Sequence, residues 1–227
     1  MIGSALSRLE KSPVKVCHFA SGVSNSSSCN PSEYEREKNL LKQKLSEIDK
    51  DVVFVYYSTC SVYDEQSESI YKKHKLEMEE LVSGRKFFHI FRLPQVVGVS
   101  RNKFTLTNYL RDCIIEERLI SIQTRAMRNL IDVEHVAIIA NSIISNQDSV
   151  GRFCNIANPI SVGVLEIVFL LECALSKRSR YVLVDAGSSY PIDVTIASKH
   201  AKLMGVEFDG SYVKNLIDKY YFHPKVA

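Results

Sequence analysis

The chain has 227 residues, of which 45% are apolar and 24% charged, and its formal net charge is +3. That length allows one domain with a sizeable buried core. A charge this small, spread along the chain, excludes the basic surface typical of nucleic-acid-binding proteins. The most apolar stretch, 162–175, contains two glutamates and is shorter than the roughly 20 residues that a membrane helix needs. We therefore expect neither a nucleic-acid partner nor a membrane.

Apolar runs and helical patterns alternate through the first hundred residues. Strands are predicted over 14–20, 52–58 and 87–93, and helices over 33–48 and 67–83. The strands are continuous apolar runs, such as VVFVYYS at 52–58, which is typical of strands buried on both faces. Strand–helix–strand alternation of this kind predicts an α/β fold in which helices cover a parallel sheet.

After Pro94 the alternation is less regular. The predicted elements are a helix near 105–118, short strands at 119–122, 129–133 and 153–157, and helices from Glu134, over 163–175 and over the late segments TIASKHAKLMGV and SYVKNLIDKYY. No clear linker divides the chain. We therefore expect a single domain over 1–227, with a core in 1–98 and mainly a substrate lobe, with returning core elements, in 99–227.

The six cysteines indicate neither a metal site nor a disulfide framework. They are widely spaced, no Cys-x-x-Cys motif is present, and they form no zinc-like cluster with the six histidines. The chain is also too large and too poor in cysteine for a secreted, disulfide-rich scaffold. We predict no metal, and we interpret the cysteines as reduced thiols of a cytoplasmic protein.

The segment STCSVYDEQSESIYKKHK (58–75) is the best candidate for a catalytic site. It places Ser58 and Thr59 at the end of a strand, and Tyr71 and Lys75 one helical turn apart on the same face. A phenol is a poor base at neutral pH, but a neighbouring ammonium lowers its pKa. With a hydroxyl donor to hold a substrate oxygen, such a pair can act as a general acid or base.

The Tyr-x-x-x-Lys spacing by itself carries little weight, because it occurs three times in the sequence. In Tyr221/Lys225 an intervening proline would break the helix. Tyr34/Lys38 also follows a strand and several serines, but its surroundings, EYEREK, favour a pair on an exposed helix face. For the pair in 58–75, a catalytic role and a coincidence both remain open on residue chemistry alone.

Four ordered segments resemble the extended short-chain dehydrogenase/reductases, in particular the NAD-dependent epimerase/dehydratase family that acts on nucleotide sugars. The segments are STCSVYD with YKKHK, FRLPQVVG, RNLIDVEHVA, and the C-terminal FCNIANPISVGVLEIV with PIDVTIASKHAKLMGV. The resemblance spans nearly the whole chain. It implies a Rossmann-like parallel sheet covered by helices, NAD or NADP as cofactor, a nucleotide-sugar substrate and a possible homodimer formed through helices 33–48 and 67–83.

The resemblance also assigns roles to individual positions. The catalytic residues would be Thr59, Tyr71 and Lys75. The cofactor-binding residues would be Gly3, Ser21, Gly22, Tyr71, Lys75 and Leu93. The substrate-binding residues would be Thr59, Gln95, Asn102 and Arg128, of which Arg128 would hold a substrate phosphate. The implied activity is that of an epimerase or a reductase in surface-polysaccharide biosynthesis. Dehydration is disfavoured, because Cys60 and Ser61 stand where dehydratases of the family carry an Asp-Glu pair.

The N-terminal part departs from the family pattern. The family begins with a strand and a G-x-x-G-x-x-G loop that lets a pyrophosphate approach a helix N-terminus. Here Gly3 corresponds to the third glycine, and only SRLEKSP separates the first helix from VKVCHFASG, where the family has a strand that contacts the adenosine ribose. We therefore expect an N-terminally shortened member with a reduced adenosine half of the dinucleotide site. The alternative is a non-catalytic nucleotide- or protein-binding module with this fold.

Overall fold

The computed structural model describes residues 1–8, 14–23, 25–66, 68–146 and 152–222. Within these ranges the elements are, in chain order, α1 (Ile2–Leu6), β1 (Val16–Phe19), α2 (Pro31–Glu47), β2 (Val53–Thr59), a short 3-10 helix (Cys60–Tyr63), α3 (Ile70–Ser83), β3 (Phe88–Leu93), β4 (Gln95–Val97), α4 (Leu106–Ile115), β5 (Leu119–Gln123), β6 (Met127–Arg128), β7 (Leu130–Asp132), α5 (Val133–Ser145), β8 (Arg152–Asn155), β9 (Val162–Gly163), α6 (Val164–Leu175), β10 (Arg180–Val184), α7 (Thr195–Leu203) and α8 (Tyr212–Tyr221).

A four-stranded parallel sheet forms the main core, with the strand order β1-β2-β3-β8. The first six residues of β2 are all buried, as expected for a strand in the middle of a covered sheet. The predicted neighbours 14–20, 52–58 and 87–93 are thus adjacent and parallel. The predicted α/β fold, with helices covering a parallel sheet, is confirmed.

Helices cover both faces of this sheet because alternate side chains of each strand point to opposite sides. On one face, Phe54 and Tyr56 of β2 pack in a cluster with Leu41 of α2 and with Met78 and Val82 of α3. On the other face, a second cluster joins the sheet to α5 and α7; it includes Val55, Tyr57, Phe91, Ile139 and Ala197. Helix α1 packs on α5.

A second core lies among helices α4, α6 and α8 and strand β5. Strand β10 pairs in parallel with β5, and β4–β7 and β6–β9 form two further two-stranded sheets. All five residues of β10 are exposed. This strand was not predicted from the sequence. The proposed division at 98/99 remains a prediction, and β8 returns from the second half to complete the main sheet.

Two helix starts differ from the predicted ones. Helix α2 begins at Pro31 instead of at position 33, and Asn30 is the N-cap whose side chain accepts the Ser32 N–H. Helix α3 begins at Ile70, where the Ser69 hydroxyl accepts the Lys72 N–H at 3.1 Å. Lys225, from the third Tyr-x-x-x-Lys pair, lies outside the described residues.

The structure also bears on the cysteines, metals and membrane spans. The six cysteines are free thiols. Among the residues that the structure describes, no three His, Cys, Asp or Glu side chains are grouped so that they could hold a metal ion. Across the same residue ranges, the helices are too short or too polar to span a bilayer.

Candidate active site

The candidate site is a cavity of about 360 Å³ at the carboxyl ends of β1, β2 and β3. Parallel sheets bind their ligands at this edge, because the loops that leave the strands form a crevice there. The turn after β1 contributes Gly22, the end of β2 contributes Ser58 and Thr59, and the end of β3 contributes Leu93. Helix α3 contributes Tyr71 and Lys75 from the side.

Most of the residues proposed from the sequence line this one cavity. They are Gly22, Thr59, Tyr71, Lys75, Leu93, Gln95 and Asn102. Arg128 lines a second cavity of about 120 Å³, which shares Thr59 and Gln95 with the first. Gly3 and Ser21 line neither cavity, although their neighbours Ile2 and Gly22 line the first. The fold therefore brings the proposed residues, apart from Gly3 and Ser21, from distant parts of the chain to these two adjoining cavities.

Thr59 is the last residue of β2 and lines the cavity. Its Oγ1 accepts the Ser61 N–H at 3.1 Å and lies 2.9 Å from Ser61 Oγ, which fixes the start of the 3-10 helix. Tyr71 lines the same cavity as Thr59. Next to them, Ser58 Oγ is buried with no hydrogen-bond partner among the described residues. An unpaired buried hydroxyl on a cavity wall is available to a ligand.

The Tyr71 hydroxyl is held in its protonated form. Burial raises the pKa of Tyr71, and the negative charge of Glu37 raises it further, while the nearby Thr59 hydroxyl acts in the opposite direction. The net effect is a pKa above the ordinary value of a tyrosine. At neutral pH this residue is therefore a proton donor.

The Lys75 ammonium is buried and paired. Its Nζ donates to Glu37 Oε1 at 2.8 Å and to the Tyr56 hydroxyl at 2.9 Å, and the Lys75 side chain is only 3% exposed. Burial lowers the pKa of Lys75, and the Glu37 carboxylate opposes this change. Two of its three N–H donors are thus used inside the protein.

Glu37 of α2 is the centre of these contacts, and it was not predicted as a site residue. The residue is fully buried, and its Oε2 accepts the Val23 N–H at 2.7 Å and lies 3.1 Å from His74 Nε2. Because a carboxylate only accepts hydrogen bonds, that histidine nitrogen carries the proton. Burial would raise the pKa of Glu37, but hydrogen bonds from His74 and Lys75 and the charge of Lys75 outweigh it and bring the pKa to about 2.

Helical spacing gives the signal that could have identified Glu37. Tyr34, Glu37 and Leu41 are the buried residues of α2, at positions i, i+3 and i+7. This spacing places the three on one face, which contacts α3 and the sheet. In the sequence, the charged residues of EYEREK around Glu37 favoured the interpretation of this segment as an exposed helix face.

Gly22 brings the turn after β1 close to the ammonium. A Cβ atom at this position would lie 2.7 Å from Lys75 Nζ and 3.2 Å from Glu37 Oε1. Because both groups are held by hydrogen bonds, a larger side chain would displace them. The glycine is therefore required by a close approach at the cavity wall.

The competing pair Tyr34/Lys38 does not line the cavity. The Tyr34 hydroxyl donates to Ser28 O at 2.6 Å, and its ring packs against His74 with 4.9 Å between centroids. Lys38 pairs with Glu77 at 2.5 Å. The interpretation of both residues as an exposed surface pair is wrong for Tyr34, which is buried.

The second cavity has the chemistry of an anion site. Its wall includes the Arg128 guanidinium, whose Nη1 donates to Met127 O at 2.8 Å, together with the polar side chains of Asn129 and Ser161. Tyr190, which sequence reasoning missed, lies there too, and burial raises its pKa to about 12. A guanidinium beside hydroxyl and amide groups suits a phosphate.

Comparisons with known proteins give a match by fold only. The sequence matches no family model and no curated protein. Three similar solved structures are a UDP-galactose 4-epimerase, a dTDP-glucose 4,6-dehydratase from Bacillus anthracis in complex with NAD, and a UDP-glucuronic acid 4-epimerase variant from Bacillus cereus in complex with NAD and a fluorinated sugar nucleotide.

The structural overlap is extensive although the sequences have diverged. The UDP-galactose epimerase is 16% identical with a TM-score of 0.70, and the match covers 90% of this chain and 75% of that one. The dehydratase is 15% identical with a TM-score of 0.69, and the match covers 92% of this chain and 71% of that one. The UDP-glucuronic acid epimerase is 19% identical with a TM-score of 0.71, and the match covers 92% of this chain and 75% of that one. The protein thus has the Rossmann-like fold of these nucleotide-sugar enzymes, as the resemblance to the extended short-chain dehydrogenase/reductases implied.

Proposed function

We propose that the protein is an NAD(P)-dependent enzyme that acts on a nucleotide-linked sugar as an epimerase or a reductase. One observation carries this proposal: Thr59, Tyr71 and Lys75 meet in a single cavity at the carboxyl edge of the sheet. The adjoining cavity with Arg128 adds an anion site within reach of the same Thr59. Similarity to solved nucleotide-sugar epimerases supports this choice of substrate class.

The residues of the larger cavity fit the nicotinamide end of a dinucleotide. Ser58 Oγ is buried and unpartnered among the described residues, and Lys75 keeps one N–H donor free for a ribose hydroxyl. Gly22 leaves the space beside that ammonium open. Bound NAD(P) would supply a reversible hydride acceptor for a carbon of the sugar.

The side chains of this chain would then handle the proton and the orientation of the sugar. The Thr59 hydroxyl would donate a hydrogen bond to the reacting oxygen, and Tyr71 would transfer a proton to or from the same atom. Arg128 would hold a phosphate of the nucleotide, and Gln95, which lines both cavities, would lie between phosphate and reaction centre. We assign the activity to surface-polysaccharide biosynthesis, because the resemblance implies such substrates.

One observation favours the alternative of a nucleotide-binding module without turnover. The ammonium that would activate a tyrosine is paired with the buried Glu37. An ammonium with a carboxylate partner lowers a neighbouring phenol pKa less than an unpaired one does. The two functions differ in turnover, which a direct assay measures.

The first prediction tests the catalytic role of Tyr71. UDP-glucose, UDP-galactose, UDP-glucuronic acid and dTDP-glucose are incubated with the protein and NAD(H) or NADP(H), and products are separated by anion-exchange chromatography. We expect epimerised or reduced sugar from at least one pair. Tyr71→Phe should reduce turnover by about 10²- to 10⁴-fold, because it removes the proton-transferring hydroxyl, while the melting temperature stays nearly unchanged.

The matched control is Tyr34→Phe, which removes a hydroxyl of the same kind that bonds to Ser28 outside the cavity. It should retain the wild-type turnover. Turnover of every sugar nucleotide at the rate of the buffer blank would refute the enzymatic proposal and favour the binding module. Full activity of Tyr71→Phe would refute the assignment of this tyrosine.

A further inference from the structure

The contact between Glu37 and Lys75 joins two helices through a buried charge pair. Glu37 is fully buried on α2, and Lys75 is almost fully buried on α3. A charge without a partner in such surroundings is strongly unfavourable, so each group depends on the other. The pair lies at the wall of the candidate active site, because Lys75 lines the cavity.

Tyr56 completes a closed triangle with the two charged groups. Its hydroxyl donates to Glu37 Oε1 at 2.7 Å and accepts from Lys75 Nζ at 2.9 Å, while Lys75 donates to the same carboxylate oxygen at 2.8 Å. The ammonium lies 5.0 Å from the Tyr56 ring centroid and 5.7 Å from that of Tyr71. The Lys75 charge is therefore directed toward Glu37 and Tyr56, and the carboxylate cancels much of its field at Tyr71.

We propose that Glu37 is a positioning residue of the candidate active site: its carboxylate fixes the Lys75 ammonium in the interior and offsets the field of that ammonium at Tyr71. The relevance of this role to catalysis rests on the proposed function, whereas the electrostatic coupling does not. Glu37 acts on the site by holding Lys75 and by the field of its own carboxylate at Tyr71, and it does not itself line the cavity.

The other polar groups around Lys75 and Tyr71 do not take over the role of the Glu37 carboxylate. Helix α2 also presents the Tyr34 ring, β2 presents Tyr56 and Thr59, and α3 itself carries His74 and Glu79. The carboxylate of Glu79 is already engaged by Arg92 at 2.6 Å. Glu37 is thus the carboxylate in direct contact with the ammonium.

The experiment measures the titration of Tyr71 in the free protein. Tyrosine labelled with ¹³C at Cζ is incorporated, and Tyr71→Phe identifies the Tyr71 resonance. In the wild-type protein this resonance should remain protonated through the range, near pH 10, in which exposed tyrosines titrate. In Glu37→Gln, which keeps the size of the side chain and removes its charge, we expect the midpoint to fall by at least about one pH unit.

Glu79→Gln is the matched control, because it neutralises another buried carboxylate that pairs with Arg92 instead of Lys75. It should leave the Tyr71 midpoint within a few tenths of a pH unit of the wild type. An unchanged Tyr71 midpoint in folded Glu37→Gln, or an equal change in both variants, would overturn the proposal.

A second pair of variants covers the case in which Glu37→Gln does not fold. Lys75→Met leaves Glu37 with its donors from Val23, Tyr56 and His74, and Lys75→Met combined with Glu37→Gln leaves neither charge. The Tyr71 midpoint should be lower in the double variant by about one pH unit. Equal midpoints would overturn the proposal. Because none of these titrations needs turnover, their result is separate from the success or failure of the enzymatic assay.

Discussion

At the scale of single residues, Glu37 makes the stability of the protein depend on pH. Its carboxyl has a pKa of about 2 in the folded chain, against an ordinary value of 4.5. A depressed pKa of this kind contributes stability that is present above about pH 4.5 and is lost as the pH falls through about 2. The contribution is roughly 3 kcal/mol, since a tenfold change in an acid dissociation constant corresponds to about 1.4 kcal/mol.

We predict that acid weakens the wild-type protein more than Glu37→Gln. Urea unfolding between about pH 6 and pH 2 should show the free energy of unfolding of the wild type falling by roughly 3 kcal/mol more than that of the variant. The other carboxyl groups are common to both proteins and cancel in the comparison. Parallel curves over this range would contradict the prediction.

The residues found by sequence reasoning differ from Glu37, which it missed, in how they are brought together. Thr59, Tyr71 and Lys75 could be proposed because they belong to one short segment, where a strand end and a helical turn bring them together. Glu37 is separated from Lys75 by two elements and lies in a charged run, EYEREK. Its spacing from Tyr34 and Leu41 is compatible with a buried helix face, and the packing of α2 against α3 shows that Glu37 is buried.

At the scale of elements, α3 depends on its N-cap to present the candidate catalytic pair. The Ser69 hydroxyl accepts the Lys72 N–H at 3.1 Å, which satisfies one of the free donors in the first helical turn. Tyr71 lies in this same turn. Fraying there would release the tyrosine from its position beside Thr59.

Ser69→Ala should therefore lower the free energy of unfolding by about 1 kcal/mol. The comparison is Ser83→Ala at the other end of α3, where the hydroxyl donates to Glu80 O, an exposed contact. That change should stay within about 0.5 kcal/mol of the wild type. Urea denaturation of the two variants measures the difference. Equal losses in the free energy of unfolding would show that the Ser69 cap does not stabilise α3.

The elements also show which patterns identify a strand. β1, β2 and β3 were predicted correctly because they are largely apolar runs between helical patterns, and β2 and β3 are buried along most of their length. β10, with the sequence RYVLV, is apolar as well but exposed throughout, with Tyr181, Val182 and Leu183 between 44% and 55% exposed. Its place beside β5 results from parallel backbone pairing between Arg180–Val184 and Leu119–Gln123, which hydrophobic periodicity does not encode.

At the scale of the whole molecule, β1 is the edge of the main sheet within the described residues. The cavity that carries Tyr71 and Lys75 lies on the nicotinamide side of the proposed dinucleotide site. On the adenosine side, no strand precedes β1 in the described residues. Ribose hydroxyls there would have fewer partners, and each lost hydrogen bond costs about 1 kcal/mol.

The 227-residue chain should therefore bind dinucleotides weakly. Two or three missing hydrogen bonds reduce the affinity by about 30- to 200-fold, because 1.4 kcal/mol corresponds to a factor of ten. Calorimetry with NAD(H) and NADP(H) should show little discrimination between them. A submicromolar dissociation constant for either dinucleotide would contradict this prediction.

The Glu37–Lys75 contact finally restricts how the sequence of this protein can evolve. Removing one partner leaves the other as a lone buried charge, at a cost of about 3–5 kcal/mol. That is a large part of the roughly 5–15 kcal/mol by which a typical domain is stable. A protein in which only one of the two residues has been replaced is therefore expected to fold poorly. Positions 37 and 75 should therefore change together during evolution, although they lie 38 residues apart in the sequence.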